Sequence, residues 1–236
     1  RAPTKEELVR FHGSMFDYVR MLRITHEVAH HLDPDARIAL GGVGYPSFLG
    51  ALLRSTDEPS AGSVDAEHPA RGGAYFDVLN FHHYPVYTQG NSDAALDSFV
   101  AQHDAMVSEL TKAGITGKGV IATETGAPRR AVGTSPGGAA YARNYLVKVM
   151  AKAQALGMES VHWYSLSDGG EASDPYAWMG LYEDITSLSS PDDARKTESG
   201  TALTTYSKVL SGARIESSRA LPTGADGVSF TTSLGH

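Results

Sequence analysis

Cysteine is absent from this 236-residue chain, so neither disulfide bonds nor thiolate metal ligands can stabilise its fold. Long apolar runs are missing as well, because no stretch of about eighteen or more such residues is available to cross a bilayer. No charged-then-apolar leader stands at Arg1. We therefore expect no membrane partner, while the redox compartment and the localisation stay undecided.

Basic residues are in the minority. The 20 Lys and Arg residues are outnumbered by 27 Asp and Glu residues, which gives a formal net charge of -7 at pH 7. Because such a chain repels polyanions, we expect no nucleic acid and no anionic membrane as a partner. A hydrophobic content of 41% suits one substantial core, which predicts one main domain over residues 1–210. From Ser211 onward, Gly, Ser and Thr with short apolar alternation predict a tail, or the first strand of a β appendage, over residues 211–236.

Apolar, strand-like runs alternate with amphipathic stretches along the chain, which is the pattern of βαβ units and a parallel sheet. Four strands are predicted, and each runs into Gly, Pro or polar residues: Arg37 to Gly44, Phe76 to Tyr84, Gly119 to Glu124 and Ser160 to Leu166. Successive strands begin about forty residues apart, which leaves room for one helix and two loops between them.

Apolar residues at helical spacing predict the intervening helices. A stripe that begins at Met15 ends at Asp33, because the residue before a proline avoids the helical region. Further helices are predicted over residues 94–113, 139–156 and about 201–210. Gly114 and Gly157 close two of these helices, at positions where a C-terminal cap favours a positive φ.

Strand alternation brings polar and aromatic side chains to the carboxyl ends of three predicted strands. In the second strand, Asn80, His82 and Tyr84 share one face. Glu124 and Trp163 lie at or near the carboxyl ends of the next two strands. Active sites of parallel α/β barrels are built at these ends, so these five residues form the candidate site.

With these motifs, the sequence resembles the clan A glycoside hydrolases, retaining enzymes with a (β/α)8 barrel. Three segments look like the sixth, seventh and eighth barrel strands: Phe76 to Pro85, Gly119 to Gly126 and Ser160 to Ser165. Tyr18 to Asp35, followed by Ile38 to Gly42, looks like the fourth helix and the fifth strand. The resemblance covers about residues 10 to 210. It implies an α/β chain with a partial TIM barrel, strands five to eight, in residues 1–210.

The resemblance also implies a role for each candidate residue. Glu124 would be the nucleophile, Tyr84 its hydrogen-bonding partner and Trp163 the platform beneath the sugar. Asn80 and His82 would complete the substrate-binding site. In a retaining mechanism one carboxylate attacks the anomeric carbon, and a second carboxylic acid about 5 Å away protonates the departing oxygen. Such an enzyme acts on a carbohydrate substrate without a cofactor or a metal, and the resemblance favours secretion.

The general acid is the part of this pattern that the sequence does not supply. In the resembled enzymes an Asn-Glu pair ends the fourth strand, and this chain contains no such pair. Glu6 and Glu7 lie near the corresponding place but look like the first turn of a helix, where carboxylates favour the helix dipole. Asp168 and Glu171 follow the eighth strand and are expected to be loop residues. We therefore expect a missing N-terminal barrel half, in the same or a separate chain, to carry the acid.

Two other functions stay open. The segment His26-Glu27-Val28-Ala29-His30 matches HExxH, in which two imidazoles one helical turn apart bind zinc and the glutamate acts as a base. A zinc metallopeptidase is therefore an alternative, although His26 lies on an apolar stripe and only Glu109 suggests a third ligand. The other alternative is a catalytically inactive carbohydrate-binding barrel that keeps Trp163. Three aromatic residues after the last strand fit a cleft wall or ordinary packing equally well: Tyr176, Trp178 and Tyr182.

Overall fold

The computed structural model describes residues 4–8, 11–58, 63–216 and 227–232. Within these ranges, three strands form one parallel sheet in the order β1, β2, β3. Their bounds are β1 Val78–His83, β2 Gly119–Thr125 and β3 Ser160–Trp163. Each strand coincides with a predicted one, although β3 ends before the predicted boundary at Leu166. The α/β class with a parallel sheet is therefore confirmed.

Six α-helices lie in the described residues: α1 Lys5–Leu8, α2 Met15–Leu32, α3 Pro46–Arg54, α4 Ser92–Lys112, α5 Ala139–Ala155 and α6 Glu198–Leu210. The predicted helices α2, α4, α5 and α6 are confirmed, and three of their ends have the predicted causes. Asp33 adopts extended backbone before the proline and ends α2. Gly114 and Gly157 take φ values of 68° and 72° after α4 and α5. None of the helices in the described ranges is long and apolar enough to cross a membrane.

Residues 37–44, predicted as the first strand, do not form a regular strand. The segment forms two isolated parallel bridges with β1, Ala39 to Val78 and Val43 to Phe81. The bridges lie four residues apart on this segment and three apart on β1, so one extra residue interrupts the ladder, as in a β-bulge. Gly42 lies at this interruption, and a Cβ there would come within 2.0 Å of His82 Nε2 and displace that ring.

Helix α3 is an element that the sequence did not predict. Pro46 occupies its first turn, where the missing N–H of proline costs nothing. Most of its side chains are apolar, so the sequence shows no alternation of polar and apolar faces at helical spacing that would predict a helix. Four of them are buried: Leu49, Ala51, Leu52 and Leu53. Short 3₁₀ helices cover Gly72–Ala74, Pro85–Tyr87, Pro175–Trp178 and Pro191–Asp193.

The chain divides into two compact units, Arg1–His82 with Ala101–Ala122, and His83–Val100 with Thr123–His236. The core of the first unit includes Val19, Leu22, Leu49, Leu52, Leu79, Phe81 and Met106. The core of the second unit includes Phe99, Tyr145, Leu146, Val149 and Met179. In the second unit α5 packs against β3 and against α6. Burying one such side chain fully contributes about 1.5–3 kcal/mol, so these two cores supply much of the stability of each unit.

The segment after α6 forms a short antiparallel pair, β4 Arg214–Ile215 with β5 Phe230–Thr231. Arg214 lies opposite Thr231 in this register. The predicted tail or appendage over residues 211–236 falls partly on residues 217–226 and 233–236, which lie outside the described residues. The division at residue 210 therefore stays a prediction.

Candidate active site

The candidate site lies where β1 and β2 end. Glu124 is the next-to-last residue of β2, and Tyr84 directly follows β1. The hydroxyl of Tyr84 donates a hydrogen bond of 2.6 Å to Oε2 of the Glu124 carboxylate. This length is typical of an O–H donor with an ionised acceptor. Both side chains are half-buried, so protein contacts orient the pair while solvent still reaches it.

The environment keeps Tyr84 protonated. Burial raises the pKa of its hydroxyl far above the ordinary value, and the hydrogen bond to Glu124 and the negative charge of Glu124 raise it further. The phenol therefore remains a donor at any pH at which the protein would be assayed. A hydrogen bond to a charged group contributes roughly 1.5–3 kcal/mol, which is enough to hold one carboxylate oxygen in a fixed orientation.

Two further tyrosines surround Tyr84. The ring centroid of Tyr176 lies 4.8 Å from that of Tyr84, and the centroid of Tyr164 lies 5.7 Å from it. The rings of Tyr164 and Tyr176 are 6.5 Å apart, and all three pairs meet edge to face. These three residues are termed the tyrosine cluster. Because Tyr164 is 37% exposed, the cluster offers an aromatic face to solvent beside the Glu124 carboxylate.

Contacts at the end of β2 fix the direction of Glu124. The hydroxyls of Thr125 and Tyr145 share a buried hydrogen bond of 2.7 Å, which ties the strand to α5. The backbone N–H of Tyr164 donates to the carbonyl of Thr125 at 2.8 Å. Gly126 lies directly beneath this junction, since a Cβ there would come within 2.3 Å of the Tyr164 carbonyl oxygen. Only glycine permits this approach of the two strand ends, because the obstructing atom belongs to the backbone.

Trp163, the predicted platform, contacts the helix layer. Its indole N–H donates to the carbonyl of Met179 at 2.8 Å, and its ring lies 6.1 Å from that of Tyr145 on α5. The sequence prediction extended alternation to Leu166, whereas β3 ends at Trp163. Tyr164 therefore leaves the strand pattern and joins the tyrosine cluster. Its place could not be predicted from alternation, since it depends on where the strand stops.

Asn80 and His82 belong to the first unit and connect β1 with residues 37–44. The Asn80 side chain is 5% exposed, and its Nδ2 donates to the carbonyl of Leu40 at 3.1 Å. The ring of His82 lies against Gly42. These contacts give both side chains a role in the fold, and their predicted roles in substrate binding stay predictions.

An ion pair that sequence analysis did not predict joins the loops after β2 and β3. Arg129 Nε donates to Asp168 Oδ2, and the two side chains are only 17% and 2% exposed. The backbone N–H of Gly180 donates to Asp168 Oδ1 at 2.9 Å. The guanidinium groups of Arg129 and Arg130 lie over the Trp178 ring, 5.5 Å and 4.0 Å from its centroid. Asp168 is therefore occupied as a structural carboxylate, which disfavours it as the general acid.

The HExxH segment forms a group with Asp77, a residue that the sequence did not suggest as a ligand. The ligand atoms of His26, His30 and Asp77 all lie within 4.8 Å of one another. Glu109, the third ligand suggested from the sequence, pairs with Lys112 at 2.6 Å. The three grouped residues belong to the first unit, whereas the Tyr84 and Glu124 pair belongs to the second.

No family model matches the sequence, and no curated protein matches it. Solved structures of glycoside hydrolases do match the fold. A glycoside hydrolase family 17 β-1,3-glucanosyltransferase from Rhizomucor miehei is similar with a TM-score of 0.56 and 16% identity over 75% of this chain. An endo-laminarinase from Formosa is similar with a TM-score of 0.56 and 14% identity over 77% of this chain. A glucosidase from Croceicoccus marinus is similar with a TM-score of 0.53 and 14% identity over 86% of this chain.

The chain spans 56%, 53% and 38% of the lengths of these three proteins. At such identities the similarity establishes the fold, which this chain shares with glycoside hydrolases. Their activities and substrates belong to those proteins.

Proposed function

We propose that this chain is part of a retaining glycoside hydrolase with a (β/α)8 barrel of the clan A type. The observation that carries the proposal is the Tyr84–Glu124 hydrogen bond at the carboxyl ends of parallel strands, beside an exposed aromatic face. The fold shared with glycoside hydrolases supports it. The described part of the chain then corresponds to strands five to eight of such a barrel.

In the proposed reaction Glu124 is the nucleophile. Its carboxylate attacks the anomeric carbon while the bond to the leaving oxygen breaks and a general acid protonates that oxygen. Water, deprotonated by the same second carboxyl group, then attacks the anomeric carbon and releases Glu124 as a carboxylate. Two displacements at one carbon return the original anomeric configuration. The residues of this chain supply the nucleophile and its orientation.

We assign the aromatic face of the tyrosine cluster to substrate binding. Tyr84 holds Glu124 by its hydroxyl, and the exposed ring of Tyr164 lies where it can stack on the apolar face of a pyranose. Trp163 precedes Tyr164 in the chain, and its ring lies 6.1 Å from that of Tyr145 on α5. Asn80, His82 and Trp163 stay proposed site residues on the strength of the resemblance.

A β-1,3-glucan is the proposed substrate class, because two of the similar structures are named for such substrates. In the test, β-1,3-linked glucose oligosaccharides are incubated with the intact enzyme, in which the general acid is present. Proton NMR recorded at once should reveal a newly formed reducing end with the β configuration. An α product would contradict a covalent intermediate on Glu124. Binding of the oligosaccharide by the intact enzyme without any cleavage would favour the catalytically inactive carbohydrate-binding barrel.

We further propose that a second barrel half supplies the general acid. Of the other carboxylates considered from the sequence, Glu6 and Glu171 have exposed side chains. Helix α2 also carries an exposed apolar stripe at helical spacing, which suits burial against the rest of a barrel: Met21, Ile24, Val28 and Leu32.

Adding a barrel half that ends in Asn-Glu should raise turnover by about 10²- to 10⁴-fold. Unchanged turnover would contradict this source of the acid.

Removing the Tyr84 hydroxyl tests its role beside the nucleophile. Tyr84→Phe is expected to lower kcat roughly 10- to 10²-fold, because it deletes a hydrogen bond to a charged group while keeping the ring. KM should change much less, since the aromatic surface is preserved. The matched control is Tyr87→Phe, whose side chain is 82% exposed and should tolerate the change. Equal kcat and KM values for the two variants would contradict a role of the Tyr84 hydroxyl in catalysis.

A further inference from the structure

His26 and His30 lie one turn apart on α2, with their imidazole rings stacked. The ring centroids are 4.0 Å apart and the planes differ by 29°, so the two rings are nearly parallel. Asp77, the residue before β1, brings a carboxylate to the same place. The three side chains are all half-buried, which leaves one side of the group open to solvent.

The tautomer of His30 is fixed by the backbone. Its Nδ1 lies 2.8 Å from the carbonyl oxygen of His26, and because that oxygen can only accept, Nδ1 carries the hydrogen and donates. In the neutral ring Nε2 then bears a lone pair. This pattern, one nitrogen donating to a carbonyl and the other free, is the one that orients metal-binding histidines.

The free nitrogen of His30 faces Asp77 across a gap. Its Nε2 lies 3.9 Å from Asp77 Oδ2, which is too long for a direct hydrogen bond. Bonds from zinc to imidazole nitrogen and carboxylate oxygen are each about 2.1 Å, so an ion between these atoms needs only a small side-chain rotation. The backbone N–H of Ile38 donates to the same carboxylate oxygen at 2.8 Å and holds Asp77 in place.

We propose that His26, His30 and Asp77 bind one divalent zinc ion. Imidazole nitrogen and carboxylate oxygen are both established zinc ligands, and solvent would complete a tetrahedral set. The sequence-based expectation of no metal rested on the place of His26 on an apolar stripe and on the lack of an obvious third ligand, and Asp77 offers such a ligand. Lys118 lies close enough to interact with the charge of Asp77, which lowers the affinity relative to a site without a neighbouring cation. The glycosidase chemistry proposed above uses no atom of this group.

Zinc binding is tested directly on the purified protein. After removal of metal with a chelator, equilibrium dialysis against zinc should reach saturation at one ion per chain. His30→Ala removes one ligand and Asp77→Asn removes the negative charge of another, so each should weaken binding by roughly 10-fold or more. The matched control is His31→Ala, an exposed neighbour on the same helix, which should bind zinc like the unchanged protein.

A second measurement needs no variant. Proton–nitrogen NMR of the imidazoles should show the side-chain signals of His26 and His30 moving with added zinc, while those of His31 stay in place. The competing explanation is a protonated His30 that forms an ion pair with Asp77, and it predicts neither saturable binding nor these shifts. Absence of saturable binding, or equal movement of all three histidines, overturns the proposal.

Discussion

In the intact enzyme, with the general acid present, Glu124→Gln is expected to lower glycosidase turnover by on the order of 10³-fold or more, while binding of the oligosaccharide changes little. The amide keeps the shape of the carboxyl group and can still accept the Tyr84 hydrogen bond. It cannot form the glycosyl intermediate, because an amide oxygen is a poor nucleophile. The loss should therefore appear in kcat, with KM nearly unchanged.

The measurement compares the steady-state kinetics of the unchanged protein and of Glu124→Gln with those of a control, Glu183→Gln. The control alters an exposed carboxylate of the same unit. That control should retain full turnover. Azide should restore activity to Glu124→Gly, because the small anion can occupy the vacated space and attack the anomeric carbon. Turnover of Glu124→Gln close to that of the control would reject Glu124 as the nucleophile.

The Tyr84–Glu124 pair illustrates what strand patterns can predict. Both residues lie at the carboxyl ends of neighbouring strands, and parallel neighbours bring these ends to one edge of the sheet. Order along the chain and alternation therefore brought both residues to one edge, and the resemblance to clan A glycoside hydrolases implied that they pair. The 2.6 Å contact itself depends on side-chain rotamers, which the spacing does not specify.

Tyr164 and Asp77 mark what the sequence could not predict. Tyr164 reaches the tyrosine cluster because β3 stops at Trp163, the residue before it. The end of a strand depends on how the following loop packs, which no local sequence pattern encodes. Asp77 meets His26 and His30 only because α2 packs where β1 begins, a contact across nearly fifty residues of sequence. The HExxH pattern was recognisable in the sequence, but the carboxylate proposed as its third ligand comes near only through the tertiary structure. In the same way, the bridges between residues 37–44 and β1 are interrupted by one extra residue, which cannot be recognised in the sequence of this segment.

Asp168→Ala is expected to destabilise the protein by about 3–5 kcal/mol, the range for removing one partner of a buried ion pair. The substitution leaves the guanidinium of Arg129, 17% exposed, without its carboxylate, and it leaves the N–H of Gly180 without an acceptor. The loops after β2 and β3 should become more mobile, because Asp168 no longer connects them. We therefore expect turnover to fall as well, because these loops hold the 3₁₀ helix that carries Tyr176.

Urea unfolding at neutral pH measures the loss, and Asp93→Ala is the matched control. Asp93 also pairs with a cation, Lys148, but its side chain is 65% exposed, so its removal should cost within about 1 kcal/mol. Replacing Arg129 and Asp168 together by leucine should recover part of the stability, because no buried charge is then left unpaired. A loss for Asp168→Ala no larger than that for Asp93→Ala would mean that water screens this pair, and that the two loops are held by their other contacts.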